Sequence, residues 1–239
     1  MLATLRRDLR AARDRDPAAR STLEIAICYP GVHAVWTHRV SHLLWTRGHR
    51  LVARMVSALS RVVTGVDIHP GAVLGQGLFI DHATGVVIGE TAEVGDDVTL
   101  YQGVTLGGTR LVHAKRHPTV GDRVTIGAGA KVLGPITIGH DSRIGANAVV
   151  VKPVPPNSVV VGVPGQVIAR SRPRRADEPP DLDDTLLPDL VGVSLQSLLV
   201  RVDELESTVK GRSNGADRRD RVDVRPSPAG VWSGEDFSI

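Results

Sequence analysis

The sequence predicts a mainly β fold: a solenoid of short strands, preceded by helices and followed by a charged tail. Three observations carry that reading. Between Ile68 and Gly165 an aliphatic residue, usually followed by glycine, recurs on a six-residue period, at Leu74-Gly75, Ile88-Gly89, Val94-Gly95, Leu106-Gly107, Val120-Gly121, Ile126-Gly127, Ile138-Gly139 and Ile144-Gly145. A small residue or valine falls four positions later, as at Ala92, Val98, Val124, Ala130, Ser142 and Ala148. Aromatics make up only 3% of the 239 residues while there are 25 glycines, which suits a thin core and not a broad one. A period of six matches neither an amphipathic helix nor an alternating strand. It fits one flat strand and one corner per hexad. The aliphatic residue then points inward, and the glycine sits where the corner needs positive φ or close backbone approach.

Residues 1–65 read as an N-terminal helical domain. Leu2, Leu5 and Leu9 mark a short first helix, and Ser21 with Glu24 has capping-box spacing ahead of another apolar run. Val32, Val35, Trp36, Val40, Leu43 and Leu44 share one helical face, and Gly48 is placed to end that helix. Leu51, Val52, Met55, Val56, Leu59, Val62 and Val63 form a second apolar stripe. These helices are expected to pack together and cover the open end of the solenoid, because an exposed sheet edge invites aggregation. Residues 66–168 are the solenoid. Residues 169–239 divide into a Pro-, Asp- and Arg-rich linker to about Pro188, an amphipathic helix carrying Leu195, Leu198, Leu199, Val202 and Leu205, and a tail. From about Gly211 to Gly234 the tail has the composition of a disordered segment, yet it ends on Phe237-Ser238-Ile239.

The hexad register breaks twice. Asp81-His82-Ala83-Thr84-Gly85 displaces the phase by two residues, and a longer insertion from Gly107 to Thr119 displaces it again. A solenoid extrudes such insertions as loops, and loops on a rigid scaffold are where function concentrates. Both breaks carry histidine.

A formal net charge of +3 gives no argument for nucleic acid, and the basic run from Arg170 to Arg175 reads as a solvated connector. The single cysteine, Cys28, cannot form an intrachain disulfide, and its apolar neighbours predict a buried side chain. With no secretory pattern and no continuous apolar span of about 20 residues, a cytoplasmic protein without membrane contact is expected.

The motifs taken together resemble the serine O-acetyltransferases of cysteine biosynthesis, within the hexapeptide-repeat acyltransferases. The resemblance rests on Asp67-Ile68-His69-Pro70, Asp81-His82-Ala83-Thr84-Gly85, Gly89-Glu90-Thr91-Ala92, Val104-Thr105-Leu106-Gly107-Gly108, Arg116-His117-Pro118, Ile126-Gly127-Ala128-Gly129-Ala130-Lys131 and Val161-Gly162-Val163-Pro164. Arg15-Asp16-Pro17-Ala18 extends it into the helical region. The resemblance implies a left-handed parallel β-helix, acetyl-CoA as co-substrate with no permanently bound cofactor, and L-serine as acceptor. Longer members carry a larger helical domain that pairs two trimers; the short helical region here favours a homotrimer, with a dimer of trimers as the alternative.

Acetyl transfer to a hydroxyl needs a base, a group to orient it and donors for the developing oxyanion. His82 is the candidate base, since imidazole ordinarily titrates near neutral pH. Asp67 is its candidate orienting carboxylate. One turn of three hexads is about eighteen residues and fifteen separate the two, which suggests adjacent coils. The resemblance assigns the dyad to these same positions. It also implies that Arg116 binds the serine carboxylate, that His117 lines the same pocket, and that Asp16 and Asp81 face the ammonium group. Gly108 is the candidate oxyanion donor. Ala128 and Ala146 match positions whose backbone meets coenzyme A, and Lys152 is placed to reach one of its phosphates. Three alternatives are weighed: a related acetyltransferase with another hydroxyl acceptor, a metal hydratase of the gamma carbonic anhydrase type using His82, His113 and His117, and a catalytically silent scaffold that only binds a partner, against which the joint presence of Asp67, His82 and Arg116 argues. The resemblance further implies feedback inhibition by L-cysteine and insertion of Ile239 into O-acetylserine sulfhydrylase, the pyridoxal-phosphate-dependent cysteine synthase.

Overall fold

The computed structural model describes residues 2–170 and 190–213, which fall in two separate units. The first unit opens with four helices: α1 (Leu2–Arg15), α2 (Thr22–Cys28), α3 (Pro30–Thr46) and α4 (Arg50–Thr64). Ser21 caps α2 as its spacing predicts. Its Oγ accepts the Glu24 N–H at 3.1 Å, while Glu24 Oε2 accepts the N–H of Arg20 at 3.0 Å. Fifteen strands follow. Along the first two coils they are β1 (Asp67–Ile68), β2 (Val73–Leu74), β3 (Phe79–Ile80), β4 (Val87–Ile88), β5 (Glu93–Val94) and β6 (Thr99–Leu100). Then come β7 (Thr105–Gly107), β8 (Thr119–Val120), β9 (Thr125–Ile126), β10 (Lys131–Leu133), β11 (Thr137–Ile138) and β12 (Arg143–Ile144). The series closes with β13 (Val149–Val150), β14 (Ser158–Val161) and β15 (Gln166–Arg170).

As far as β13, every third strand joins the same sheet. The three sheets run β1-β4-β7-β10-β13, β2-β5-β8-β11 and β3-β6-β9-β12-β14-β15, all parallel except the last pair. Register records the two breaks. Val87 pairs with Thr105 and Lys131 with Val149, each eighteen residues apart. Asp67 pairs with Val87 at twenty, and Thr105 with Lys131 at twenty-six. The predicted hexads are the strands, and both insertions leave the ladder intact.

The aliphatic residue of each hexad fills the interior, with Ile88, Leu106, Ile126 and Ile138 essentially inaccessible. The small residue four positions on lies there too: Ala92, Val98, Val124, Ala130, Ser142 and Ala148 are all buried. The glycine after the aliphatic residue is explained by close approach, not by positive φ. A Cβ on Gly75 would stand 2.4 Å from the carbonyl oxygen of Gly95, and one on Gly139 would stand 2.3 Å from the nitrogen of Pro156. At these two corners adjacent coils stack too tightly for a side chain.

The helices cover the open edge of the first coil with hydrogen bonds as well as bulk. Ser57 Oγ donates to the carbonyl of Ile68 (2.7 Å), His42 Nδ1 lies 2.8 Å from that of Pro70, Arg39 donates to that of Gly75 (3.0 Å) and Arg15 to that of Gly77 (3.0 Å). Unpaired edge carbonyls that could template another chain are thereby satisfied. At the far end β15 turns back antiparallel on β14.

Two expectations about this region fail. The apolar stripe of α4 does not face the core: Leu51, Met55, Leu59, Val62 and Val63 are all exposed. Its buried side is Ala53, Ser57 and Thr64, whose small size lets the helix lie close to β1. Cys28, the last residue of α2, is exposed, because only Ile25 of that short helix enters the core. Farther along α3, Val32 and Val35 are buried, whereas Val40 and Leu43 of the same predicted face are half exposed.

The second unit contains α5 (Leu190–Ser213), which includes the predicted amphipathic segment. The expected linker, the tail beyond Ser213 and Ile239 lie outside the described residues. No described helix is long and apolar enough to cross a membrane.

Candidate active site

The first register break is a tight excursion between β3 and β4. His82 and Ala83 both adopt left-handed backbone, with φ of 54° and 55°. Such residues cost about 1 kcal/mol or more each, so the surroundings must hold them. The carboxylate Oδ1 of Asp81 accepts the His82 N–H at 2.9 Å, the Asp81 carbonyl accepts the Ala83 N–H, and Gly85 N–H binds the carbonyl of Gly65. Ala83 is driven into the core and His82 is turned outward, its side chain 73% exposed. Its Nε2 lies 3.8 Å from Asp81 Oδ2.

Asp16, at the end of α1, joins this corner. Its carboxylate accepts the hydroxyl of Tyr29 at 2.5 Å and the N–H of Ala18 at 2.8 Å. Burial, with the Asp16 charge adding to it and His82 opposing, pushes the Asp81 carboxyl above its ordinary range. Burial and the Asp16 hydrogen bond push the Tyr29 phenol up as well. The fold therefore brings Asp16, Asp81 and His82 together. Asp67 stands on the same edge, at the head of β1, but its carboxylate is bound by Arg61 of α4 at 3.2 Å. The residue opposite Asp67 on the next coil is Val87. His82, fifteen residues on, lies in the corner before β4: an eighteen-residue turn from Asp67 reaches Gly85, and the two extra residues of the break carry the partner on to Val87.

The second break, between β7 and β8, is organised at its root by Thr91. The Thr91 hydroxyl accepts the N–H groups of Arg116 (3.0 Å) and His117 (3.1 Å) and lies 2.9 Å from His117 Nδ1. The His117 ring covers Gly89 so closely that a Cβ there would stand 2.0 Å from the ring's Cδ2. Gly108 faces the same ring: a Cβ on it would lie 3.3 Å from His117 Nε2. Arg116 Nη2 pairs with Glu90 at 2.5 Å, a bond that holds the Glu90 carboxyl below its ordinary range. Burial, helped by Arg116, lowers the His117 imidazole. Residues 108–115, His113 among them, are exposed.

The two clusters occupy opposite edges of one face. Asp67, His82, Asp81 and Asp16 stand where the chain enters the sheet β1-β4-β7-β10-β13, whereas Gly108, Arg116 and His117 stand where it leaves. Ala128 and Ala146 lie in the same column of corners as His82. That column is tied by Gly103 N–H to the Thr84 carbonyl (2.9 Å), Gly129 N–H to the Gln102 carbonyl (2.8 Å) and Asn147 N–H to the Ala128 carbonyl (2.8 Å). Exposed Lys152 follows β13 on the opposite edge.

Comparison with known proteins identifies the family. The model of the bacterial transferase hexapeptide (six repeats) matches residues 117–152. A serine acetyltransferase of Mycobacterium tuberculosis (strain ATCC 25618 / H37Rv) is 65% identical over 240 residues, spanning all of both chains. The chain belongs to the serine acetyltransferases. Solved structures of that family agree. A soybean serine acetyltransferase complexed with serine is 47% identical with a TM-score of 0.68, over 70% of this chain and 68% of that one. One from Brucella abortus strain S19 in complex with coenzyme A is 46% identical with a TM-score of 0.70, over 72% and 68%. Membership makes the chain an acyltransferase and displaces the metal-hydratase reading.

Within this serine acetyltransferase frame, sequence reasoning passed over Thr91, Glu90, Tyr29 and Arg61. Gly89-Glu90-Thr91-Ala92 was among the segments carrying the resemblance, so a signal for two of them existed. What it lacked was any mark that a hydroxyl on one coil orders a loop twenty-five residues later.

Proposed function

We propose that this chain transfers the acetyl group of acetyl-CoA to the hydroxyl of L-serine, through sites shared between neighbouring copies of a homotrimer. The carrying observation is the division of the site residues. One edge of one sheet carries Asp16, Asp67, Asp81 and His82, and the other carries Gly108, Arg116 and His117. A cyclic trimer of left-handed coils that sets the entry edge of one copy against the exit edge of the next completes each site.

In that site Arg116 binds the serine carboxylate while Asp16 and Asp81 face its ammonium group, and His117 closes the pocket. His82 removes the hydroxyl proton as the serine oxygen attacks the thioester carbon. The Gly108 N–H receives the oxyanion. Collapse expels the coenzyme A sulfur, which takes the proton from His82, leaving O-acetyl-L-serine and coenzyme A. Asp67 orients the imidazole once its carboxylate exchanges Arg61 for the ring. The column holding Ala128 and Ala146 offers backbone groups to the pantetheine arm, and Lys152 of the facing edge reaches a phosphate. No permanently bound cofactor is needed, because a thioester is already activated. L-cysteine, which differs from serine by sulfur for oxygen, inhibits in the same pocket. The protein works in the cytoplasm, and its terminal Ile239 anchors O-acetylserine sulfhydrylase.

Mixing tests the shared site. His82→Ala and Arg116→Ala proteins, each inactive, are unfolded together and refolded. Random cyclic trimers then contain intact composite sites, and about a quarter of the wild-type activity returns. Sites built within one chain would give none.

A further inference from the structure

We propose that α5 is a parallel coiled coil formed with the same helix of other copies of this chain. Six of its apolar residues follow the 3-4 spacing of a heptad: Leu195, Leu198, Val202 and Leu205 occupy alternating a and d positions, Val191 and Val209 extend that spacing in the sequence, and exposed Val200 falls outside it at f. The described members are exposed, with Leu198 at 55% and Leu205 at 62%. A 24-residue helix is about 36 Å long and is marginal alone in water, so an apolar seam of this length needs a partner. The heptad period specifies that partner as another helix. Charge specifies which helix and which direction. In this register Arg201 falls at g and Glu206, five residues on, at e, the pair that meets between parallel, in-register copies. Antiparallel pairing would not bring these two positions together. Leu199 at a further e position widens the apolar face beyond the narrow seam of a two-stranded coil, which suits three strands.

The number three rests on the trimer proposed above; the pairing itself does not. Tethering to a trimer raises the effective concentration of the helices and lets a short coil form. The coil in return holds the trimer together at low protein concentration.

Full-length Cys28→Ser protein, which removes the exposed native thiol, serves as background for two variants. Val202→Cys places a thiol at an a position, and Ser207→Cys places one at the outward f position. Under mild oxidation the first should give a covalent dimer in denaturing gels and the second should remain monomeric. Equal cross-linking, or none from either, overturns the proposal. A Leu198→Glu/Leu205→Glu protein should dissociate at a concentration at least about tenfold higher in analytical ultracentrifugation. An unchanged dissociation point, as expected were the helix packed on its own chain, also overturns it. Neither readout depends on which substrate the enzyme takes.

Discussion

The loop at 81–85 lengthens its coil by two residues, whereas the loop at 108–118 lengthens its coil by eight. The short loop is held almost wholly by backbone: two left-handed residues, an aspartate receiving its neighbour's N–H and a bond to Gly65. The long one is held at its root by side chains, namely the Thr91 hydroxyl and the Glu90 carboxylate. A backbone-built loop survives most single side-chain changes, so loss of His82 should report on chemistry. A loop whose root depends on so few side chains should lose order when the hydroxyl that receives two of its N–H groups goes.

The largest expected effect lies in the short loop. His82→Ala should lower kcat about 10² to 10⁴-fold with the fold intact, the usual range for a general base. Near-normal turnover in a correctly folded His82→Ala protein would falsify its assignment. The long loop offers the contrasting case. Thr91→Val keeps volume but strands the N–H groups of Arg116 and His117, and unmade bonds of this kind cost about 1–3 kcal/mol. The KM for serine should rise about tenfold with a smaller change in kcat, and Thr91→Ser should restore it. Equal effects from Val and Ser would mean that shape, not the hydroxyl, orders the loop. A smaller effect separates Asp67 from both loops. Its exposed pair with Arg61 is worth at most about 1 kcal/mol, so Arg61→Ala should release the carboxylate and raise kcat about two- to fivefold. A fall in kcat would show instead that Arg61 holds Asp67 in its working position.

The same contrast sets what was legible in the sequence. Hexads repeat, so Ile88, Leu106, Ile126 and their strands could be read directly, and the breaks stood out against that regularity. The close-approach role of the glycines followed from the repeat as one of two options, and the stacking of coils decided between them. Pairings that cross between coils left no local trace. The twenty-residue offset that sets Val87 opposite Asp67 arises from the break itself, and the Thr91 anchor joins segments of different coils. On α4, amphipathicity showed that one face was apolar but not that the small face was the buried one, since closeness to β1 matters more there than hydrophobicity.

The mildest prediction concerns the helical region, whose order depends on packing and not on a repeat. His38 of α3 is buried against His42, with ring centroids 5.5 Å apart. Backbone groups of His69 and Ala72 lie near it, yet neither ring nitrogen makes a hydrogen bond of good geometry. Burial, reinforced by His42 and Arg39, pushes its pKa down to about 3. The folded state thus keeps His38 neutral while the unfolded chain takes up a proton below its ordinary value near 6.5. The stabilisation is present in full above about pH 6.5 and is lost as pH falls from there toward 3. The slope due to this one group approaches about 1.4 kcal/mol per pH unit. His69 and His117, also lowered by burial, act in the same direction, so the difference between proteins is the readout. His38→Phe keeps a ring in the site and removes the titration. Denaturant unfolding of wild type and variant at pH 7, 6 and 5 should show the variant losing less stability on acidification. Parallel curves would mean that His38 reaches solvent or a proton acceptor in the folded state, and that acid sensitivity arises elsewhere.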